Sequence, residues 1–190
     1  GIANLIESRD GSTGLHVKNT QNYVQILTKA LREKGMYPDI LDHNYELNTV
    51  KASVLHDIGK IKTPDAILLK PGRLTDEEFE VMKQHTVAGC EIIDRIIGNV
   101  EHEEYVDIAR KIARYHHERW DGTGYPDGLS GEEIPLCARI MALADVFDAL
   151  YQDRCYKKAI RPASKVFEII KENSGSQFDP NLTEIFLELQ

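Results

Sequence analysis

The chain has 190 residues, 42% of them hydrophobic, and its 23 basic and 31 acidic side chains give a formal net charge of −8. This length suits one hydrophobic core, and the acidic balance argues against a protein that binds long nucleic acid through a broad basic face. Cys90, Cys137 and Cys155 are widely spaced, which argues against a disulfide framework. No apolar run approaches the roughly 20 residues that span a membrane. We therefore expect a single cytoplasmic domain.

Hydrophobic residues recur at helical spacing along most of the chain, which predicts an all-α fold. The first long helix is predicted from about Thr13 to Lys34, with Gly35 as its C-terminal stop. The polar stretch from Met36 to Asn48 is predicted to be a connection. A second helix is predicted from about Thr49 to Ile58, and it ends at Gly59.

The middle of the chain carries two further helix patterns. Thr75 and Glu78 have the spacing of a capping box, which predicts the start of a helix that extends through His85 toward Gly98. The next helix has an apolar row that starts at Tyr105 and, continued by one step, reaches a histidine. Chemically active side chains are therefore expected where apolar helix faces end.

The segment from Glu118 to Glu133 is rich in glycine and proline, which predicts a loop. Pro135 suits the first turn of a helix that reaches about Tyr151, Pro162 opens another helix, and Asp179-Pro180 opens the last one. Trp120 is interpreted as a packing anchor for the glycine-rich loop.

Six of the seven histidines are candidate metal ligands, and they are His16, His43, His56, His85, His116 and His117. Each helix of a bundle can present a residue to one interior cavity, so wide sequence separation is no obstacle. Asp57 directly follows His56, and His117 directly follows His116, at points where an apolar helix gives way to a loop. His43 lies in a polar stretch and is interpreted as a surface residue.

Asp145 lies on a helix row that is otherwise apolar. An unpaired carboxylate on such a face would cost several kcal/mol, so it needs a cationic partner. That partner is either an arginine, Arg139 or Arg114, or a metal ion. Imidazole and carboxylate ligands without thiolate favour iron or manganese, and less selectively zinc, nickel or cobalt.

Several separated motifs occur in the order found in the HD-GYP family of bacterial cyclic di-GMP phosphodiesterases, which the chain resembles from about Arg9 to Phe186. They are HDIGK (His56 to Lys60), His85, HHERWDGTGYPDGLSGEEIP (His116 to Pro135) and ARIMALADVFDAL (Ala138 to Leu150). The resemblance implies an HD-type helical bundle with a GYP loop over a bi- or trinuclear metal site. It also implies hydrolysis of cyclic di-GMP to pGpG or GMP through a metal-activated hydroxide.

Carried over position by position, the resemblance implies seven metal ligands: His16, His56, Asp57, His85, His116, His117 and Asp145. Asp57 would bridge two metals, and Lys60 would lie beside the metals and the substrate phosphate, so these two are the candidate catalytic residues. Tyr125 belongs to the GYP triplet that lines the site. Arg154 and Lys157 match positions that contact the nucleotide phosphates.

The chain departs from the family pattern at a few positions. Ser12 stands where members with three metals carry a glutamate, so two metals are expected and a third is doubtful. Tyr151 and Cys155 replace the small residue and the proline that are common near the substrate entrance. Residues 1–190 are expected to form one domain of a longer signalling protein with an upstream sensor or receiver domain, and a homodimer is compatible with the resemblance.

The sequence leaves alternative functions open beside a cyclic di-GMP phosphodiesterase. One is a catalytically weak domain that senses a cyclic dinucleotide or docks to protein partners. Another is a phosphohydrolase for other nucleotides or a phosphodiesterase for a hybrid cyclic GMP-AMP. Retention of all seven ligand-type residues favours an enzyme, whereas Ser12 keeps the sensor hypothesis open.

Overall fold

The computed structural model describes residues 15–98, 103–152 and 159–190, and the regular elements in these ranges are helices. The α-helices, in chain order, are α1 (His16–Glu33), α2 (His43–Ala52), α3 (Asp65–Leu68), α4 (Asp76–Ile97), α5 (Glu103–Tyr115), α6 (Leu136–Tyr151), α7 (Ala163–Glu172) and α8 (Pro180–Glu188). Short 3-10 helices cover Ser53–Leu55, Ile58–Lys62 and Gly131–Glu133. The predicted all-α class is confirmed.

Helix α6 forms the centre of the fold because its sequence is apolar on nearly every side. Residues 136–144 are all buried, which is the pattern of a helix enclosed by its neighbours. Helices α1, α5, α7 and α8 pack around it. Helix α4 packs against α5 and against the 3-10 helix Ile58–Lys62. The C-terminal half of α6 therefore carries Asp145 into the interior of the bundle.

The sequence predicts a polar connection from Met36 to Asn48, but α2 begins within this stretch at His43. The Asp42 carboxylate caps the helix by accepting a hydrogen bond from a backbone N–H of its first turn. Glu46 is only 7% exposed, because Arg32 of α1 donates to its carboxylate. A buried glutamate that is paired in this way looks like a surface residue in the sequence, so the predicted connection is wrong there.

Several predicted features of the helices are confirmed. Thr75 and Glu78 form the reciprocal hydrogen bonds of a capping box at the start of α4. Asp179 caps α8, and Pro180 occupies its first turn. His43 is exposed at the start of α2, as expected for a surface residue. None of the described helices combines the length and the apolar character needed to cross a membrane.

Candidate functional site

Seven histidine and aspartate side chains from distant parts of the chain converge in the bundle, and they are the seven predicted metal ligands. They form two groups, and within each group one ligand atom per residue lies within 4.8 Å of the others. The larger group is Asp57, His85, His116 and His117, and the smaller group is His16, His56 and Asp145. The groups adjoin, because the ring centroids of His56 and His116 are 5.4 Å apart.

A break in the helix after α2 places His56 and Asp57. The sequence predicts a helix that continues to Ile58, but α2 ends at Ala52 and two 3-10 helices follow, with His56 and Asp57 between them. Gly59 then packs directly on the backbone of α4, where a Cβ atom would lie 1.8 Å from the carbonyl oxygen of His85. This close approach brings Asp57 Oδ1 to 3.4 Å from His85 Nε2.

Three of the histidines present the same nitrogen to the shared space. The Nδ1 atoms of His56, His85 and His116 lie 2.8, 2.7 and 2.9 Å from backbone carbonyl oxygens three or four residues earlier. A carbonyl can only accept a hydrogen bond, so Nδ1 carries a proton in each ring, and the Nε2 atom of the neutral ring keeps a free lone pair. The helical backbone therefore sets the orientation of all three imidazoles.

Four acceptor atoms of the site have no protein donor in the described part of the chain. Among the described residues, Nε2 of His56, His85 and His116 and Oδ1 of Asp57 are buried without a hydrogen-bond partner. Buried polar atoms are rarely left unpaired, because each loses its interaction with water. Metal cations could accept these lone pairs, so the residues present fit a metal site.

The distances between these atoms also suit metal ligation. His56 Nε2 lies 3.4 Å from Asp57 Oδ2, His116 Nε2 lies 3.7 Å from Asp57 Oδ1, and His16 Nε2 lies 3.3 Å from Asp145 Oδ1. Two ligand atoms that are each about 2.1 Å from one ion, at tetrahedral or octahedral angles, are about 3.0–3.4 Å apart. Small shifts would therefore complete a coordination sphere.

Burial keeps two of the imidazoles neutral. It lowers the pKa of His85 to about 4. Burial also holds the pKa of His117 well below its ordinary value, and the neighbouring His116 and His85 lower it further. Only a neutral imidazole can bind a metal ion. These two side chains are thus ready to act as ligands at neutral pH.

The carboxylates of the site are ionised despite their surroundings. Burial alone would raise the pKa of Asp57, but the positive charge of the nearby Lys60 acts in the opposite direction, and the pKa lies well below its ordinary value. Burial would likewise raise the pKa of Asp145, but the hydrogen bond from His16 outweighs it and lowers the pKa. Both groups therefore offer the negative charge that a divalent cation requires.

His16 differs from the other histidines in its proton affinity. Burial would lower its pKa, but hydrogen bonds to Asp145 and Asp148 outweigh burial and raise the pKa to about 10. A metal ion at His16 would have to compete with this proton. Asp148, which sequence reasoning did not single out, is thus a part of the site.

Of the two kinds of partner considered for Asp145, the arginines bind other carboxylates. Arg139 Nη1 donates to Asp179 at 2.6 Å, and Arg114 Nη2 donates to Asp127 at 2.7 Å. Asp145 faces His16 instead. A carboxylate on an apolar helix face signals that some cationic partner exists, but the sequence does not show which one.

Lys60 and Tyr125 lie beside the ligand groups, as predicted. Lys60 Nζ is 2.8 Å from Asp57 Oδ2. The Tyr125 ring stacks on the His117 ring, with centroids 4.9 Å apart and an interplanar angle of 29°. A cavity of about 310 Å³ opens at this point, and its lining includes Lys60, Lys70, His85, His117 and Tyr125. A ligand in this cavity would meet two lysines and an aromatic ring beside the candidate metal ligands.

Arg154 and Lys157, the predicted phosphate contacts, lie outside the described residues, as do Ser12 and Cys155. Their proposed roles remain predictions. Cys90 and Cys137 are free thiols.

The glycine-rich loop over the site is held by Glu118, which sequence reasoning also missed. Its carboxylate is in a residue only 3% exposed, and it accepts hydrogen bonds from the backbone N–H groups of Asp127, Gly128 and Leu129 at 2.7, 3.0 and 3.1 Å. A carboxylate that binds three consecutive amides fixes the backbone just after Tyr125. The signal in the sequence was a charged residue between a histidine pair and a run of glycines.

Trp120 anchors the same loop at its other end, in agreement with its interpretation as a packing residue. Its backbone N–H donates to the Gln177 carbonyl at 3.2 Å. The Arg139 guanidinium lies 5.8 Å from its ring centroid, and Asp179 holds that guanidinium in place. The loop is therefore fixed to the start of α8 as well as to Glu118.

Replacing Glu118 tests the role of this loop contact. Glu118→Gln exchanges one acceptor oxygen for an NH2 group, so a buried amide loses its partner and the free energy of unfolding should fall by about 1–3 kcal/mol. Urea unfolding measures the change. The matched control is Glu132→Gln, because Glu132 is exposed on the same loop. Equal stability of the two variants would contradict the assigned role.

The chain was compared with known proteins. The family model for the HD domain matches residues 3–182. A cyclic di-GMP phosphodiesterase of Vibrio cholerae is 47% identical over 192 residues, which cover 100% of this chain and 38% of that protein. A 3′3′-cGAMP-specific phosphodiesterase 2 of Vibrio cholerae is 37% identical over 98% of this chain and 33% of its own length. The chain thus spans less than half the length of these relatives.

A solved structure shares the fold. Bd1817, an HDG"Y"P protein from Bdellovibrio bacteriovorus, superposes with a TM-score of 0.63 over 91% of this chain and 52% of that one, at 17% sequence identity. At this identity the likeness supports the helical architecture alone.

Proposed function

The chain belongs to the HD domain family, and on this premise we propose that it is a metal-dependent phosphodiesterase that hydrolyses cyclic di-GMP to pGpG or GMP. The observation that carries the proposal is the pair of adjoining ligand groups, with their buried and unpaired nitrogen lone pairs. The similarity to a cyclic di-GMP phosphodiesterase along the whole chain supports the substrate.

Two divalent metal ions fit the two groups of ligands. One ion would be held by His16, His56 and Asp145, and the other by the group of Asp57, His85, His116 and His117. Asp57 fits the role of a bridge, because its Oδ2 faces His56 while its Oδ1 faces His85, each at 3.4 Å. Imidazole and carboxylate ligands suit iron or manganese. The chemistry that such ions supply is charge neutralisation of the phosphodiester and activation of water for in-line attack.

The chain's own residues bind and orient the substrate in this proposal. Lys60 places a positive charge beside Asp57 and the cavity, where a phosphate oxygen of the substrate would bind. Burial raises the pKa of Tyr125, and the negative charge of Asp57 raises it further. The phenol therefore keeps its proton and can donate a hydrogen bond to the substrate. Arg154 and Lys157 would contact the phosphates from outside the metal site.

The wider setting is also part of the proposal. Residues 1–190 would act as one catalytic domain of a longer cytoplasmic signalling protein, with an upstream sensor or receiver domain and with a homodimer as its assembly. Two metals, rather than three, would be bound, because Ser12 offers no carboxylate.

The test is a direct assay with defined metals. The protein is purified anaerobically, its metals are quantified, and turnover of cyclic di-GMP, pGpG and hybrid cyclic GMP-AMP is followed by chromatography with added Fe²⁺ or Mn²⁺. Consumption of cyclic di-GMP supports the proposal. No turnover of any of the three, with metals bound, would overturn it and favour a nucleotide sensor or protein-docking domain.

Hydrolysis of a hybrid cyclic GMP-AMP is the second candidate function. It is favoured by the similarity to a 3′3′-cGAMP-specific phosphodiesterase along 98% of this chain. The same assay decides between the two substrates through the ratio of their kcat/KM values.

Arg154→Ala tests the phosphate contact. Loss of a charge-assisted hydrogen bond of about 1.5 kcal/mol should raise the KM for cyclic di-GMP about tenfold, with a smaller change in kcat and none in metal content. Steady-state kinetics measure the change. Lys165→Ala is the control, because Lys165 is an exposed basic residue of α7 with no assigned role. An unchanged KM for Arg154→Ala would refute the assignment.

A further inference from the structure

His16 is held in a different way from the other histidines of the site. His56, His85 and His116 direct Nδ1 at carbonyl oxygens of their own chain segments. His16 is the first residue of α1, so the described chain offers no preceding helical turn to accept from its Nδ1. That nitrogen lies instead 2.7 Å from Oδ2 of Asp148 on α6.

Asp148 is itself firmly placed. It is 1% exposed and lies one helical turn after Asp145 on α6. Asn19, one turn after His16 on α1, donates through Nδ2 to Asp148 Oδ1 at 3.1 Å. Both carboxylate oxygens of Asp148 are therefore bound by side chains of α1, and both nitrogens of His16 face carboxylates of α6.

The two ligand groups of the metal centre therefore differ in the contacts that orient their side chains. Asp57 comes from the turn formed by His56 and Asp57 (the HD turn), His85 from α4, and His116 and His117 from the end of α5, so α1 contributes no residue to this group. The other group needs His16, and both nitrogens of its ring face carboxylates of α6. An acceptor behind a ligand imidazole sets its tautomer and raises its basicity, and its loss typically lowers metal affinity about 10–100-fold.

We propose that Asp148 is a positioning residue that makes metal binding by the His16, His56 and Asp145 group depend on the docking of α1 against α6. The Asp57 group binds its ion without this contact. The inference rests on the proposed two-metal site, but its test is metal binding rather than turnover.

The experiment is calorimetric titration of the chelator-treated chain with Mn²⁺. The original chain should bind two ions. Asp148→Ala should keep one site at unchanged affinity and weaken the other about 10–100-fold. Asp148→Asn should recover part of this loss, because its amide oxygen can still accept from His16 Nδ1. Recovery by the conservative variant distinguishes positioning from a general loss of packing.

Glu46→Gln is the matched control. Glu46 is also a buried carboxylate paired with a side chain of α1, but its partner is Arg32 and it lies outside the metal centre. This variant should lose stability in thermal unfolding while both Mn²⁺ sites keep their affinities. If Asp148→Ala does not fold, the same Mn²⁺ titration is made on Asn19→Ala. This variant removes the amide that donates to Asp148 and should weaken Mn²⁺ binding only at the group of His16, His56 and Asp145.

Two unchanged affinities in Asp148→Ala, an equal loss at both sites, or a single Mn²⁺ site in the original chain would overturn the inference. Failure of the proposed function would give a different experimental result. A chain that binds two ions in the expected way but cleaves no cyclic dinucleotide would refute the function and leave the role of Asp148 standing.

Discussion

A variant with both His56→Ala and Asp57→Ala is expected to retain no tightly bound metal and to hydrolyse cyclic di-GMP below detection. His56 belongs to one ligand group and Asp57 to the other, so each group loses a ligand. Asp57 also contributes the carboxylate that lies between the groups. The remaining histidines would then surround too little negative charge to hold divalent ions.

Elemental analysis of the purified variant and chromatography of the nucleotides measure these two effects. His43→Ala is the control, because it removes an exposed histidine that belongs to neither ligand group. Circular dichroism confirms that the helices persist. Retention of two metals by the double variant would contradict the assignment of both residues.

Gly59→Ala is expected to lower the free energy of unfolding more than Gly89→Ala, the other glycine substitution at the contact between the HD turn and α4. The new Cβ would lie 1.8 Å from the His85 carbonyl oxygen and 2.5 Å from the Gly89 amide nitrogen. Both are backbone atoms of α4, so no side-chain rotation relieves the overlap. We expect a loss of roughly 3 kcal/mol or more in the free energy of unfolding. Separation of α4 from the HD turn should also weaken metal binding.

Urea unfolding and metal content of the variant test this expectation. Gly89→Ala is the matched control, because Gly89 lies across the same contact but its added Cβ would approach no atom closer than 3.3 Å. That substitution also gains about 1 kcal/mol of helix propensity. A loss in Gly59→Ala no larger than in Gly89→Ala would show that the close approach does not limit this site.

The residues that carry chemistry were predictable because their types are rare in apolar helix rows. His116 and Asp145 each stand out from an otherwise hydrophobic pattern, and both lie in the predicted site. The resemblance of the motifs to a known family then linked residues that are far apart in sequence. The helices that bury one apolar face, such as α1 and α5, follow from the same periodicity.

The polar residues that support the site were not predictable in the same way. Glu46, Glu118 and Asp148 are all nearly buried, yet a sequence pattern treats an acidic residue as exposed. Each is buried because a specific donor lies opposite it: an arginine, three backbone amides, or a histidine with an asparagine. Which donor that is depends on tertiary packing, so periodicity and composition carry no information about it.

The anchoring of Trp120 has a consequence for protein engineering. The Gln177 carbonyl and Asp179 lie more than fifty positions after Trp120. A shortened version that ends before Gln177 would keep every ligand residue and still lose this anchor of the GYP loop, while the contacts of Glu118 would remain. A fragment that is to retain the whole site must therefore extend to the start of α8, beyond the last candidate metal ligand.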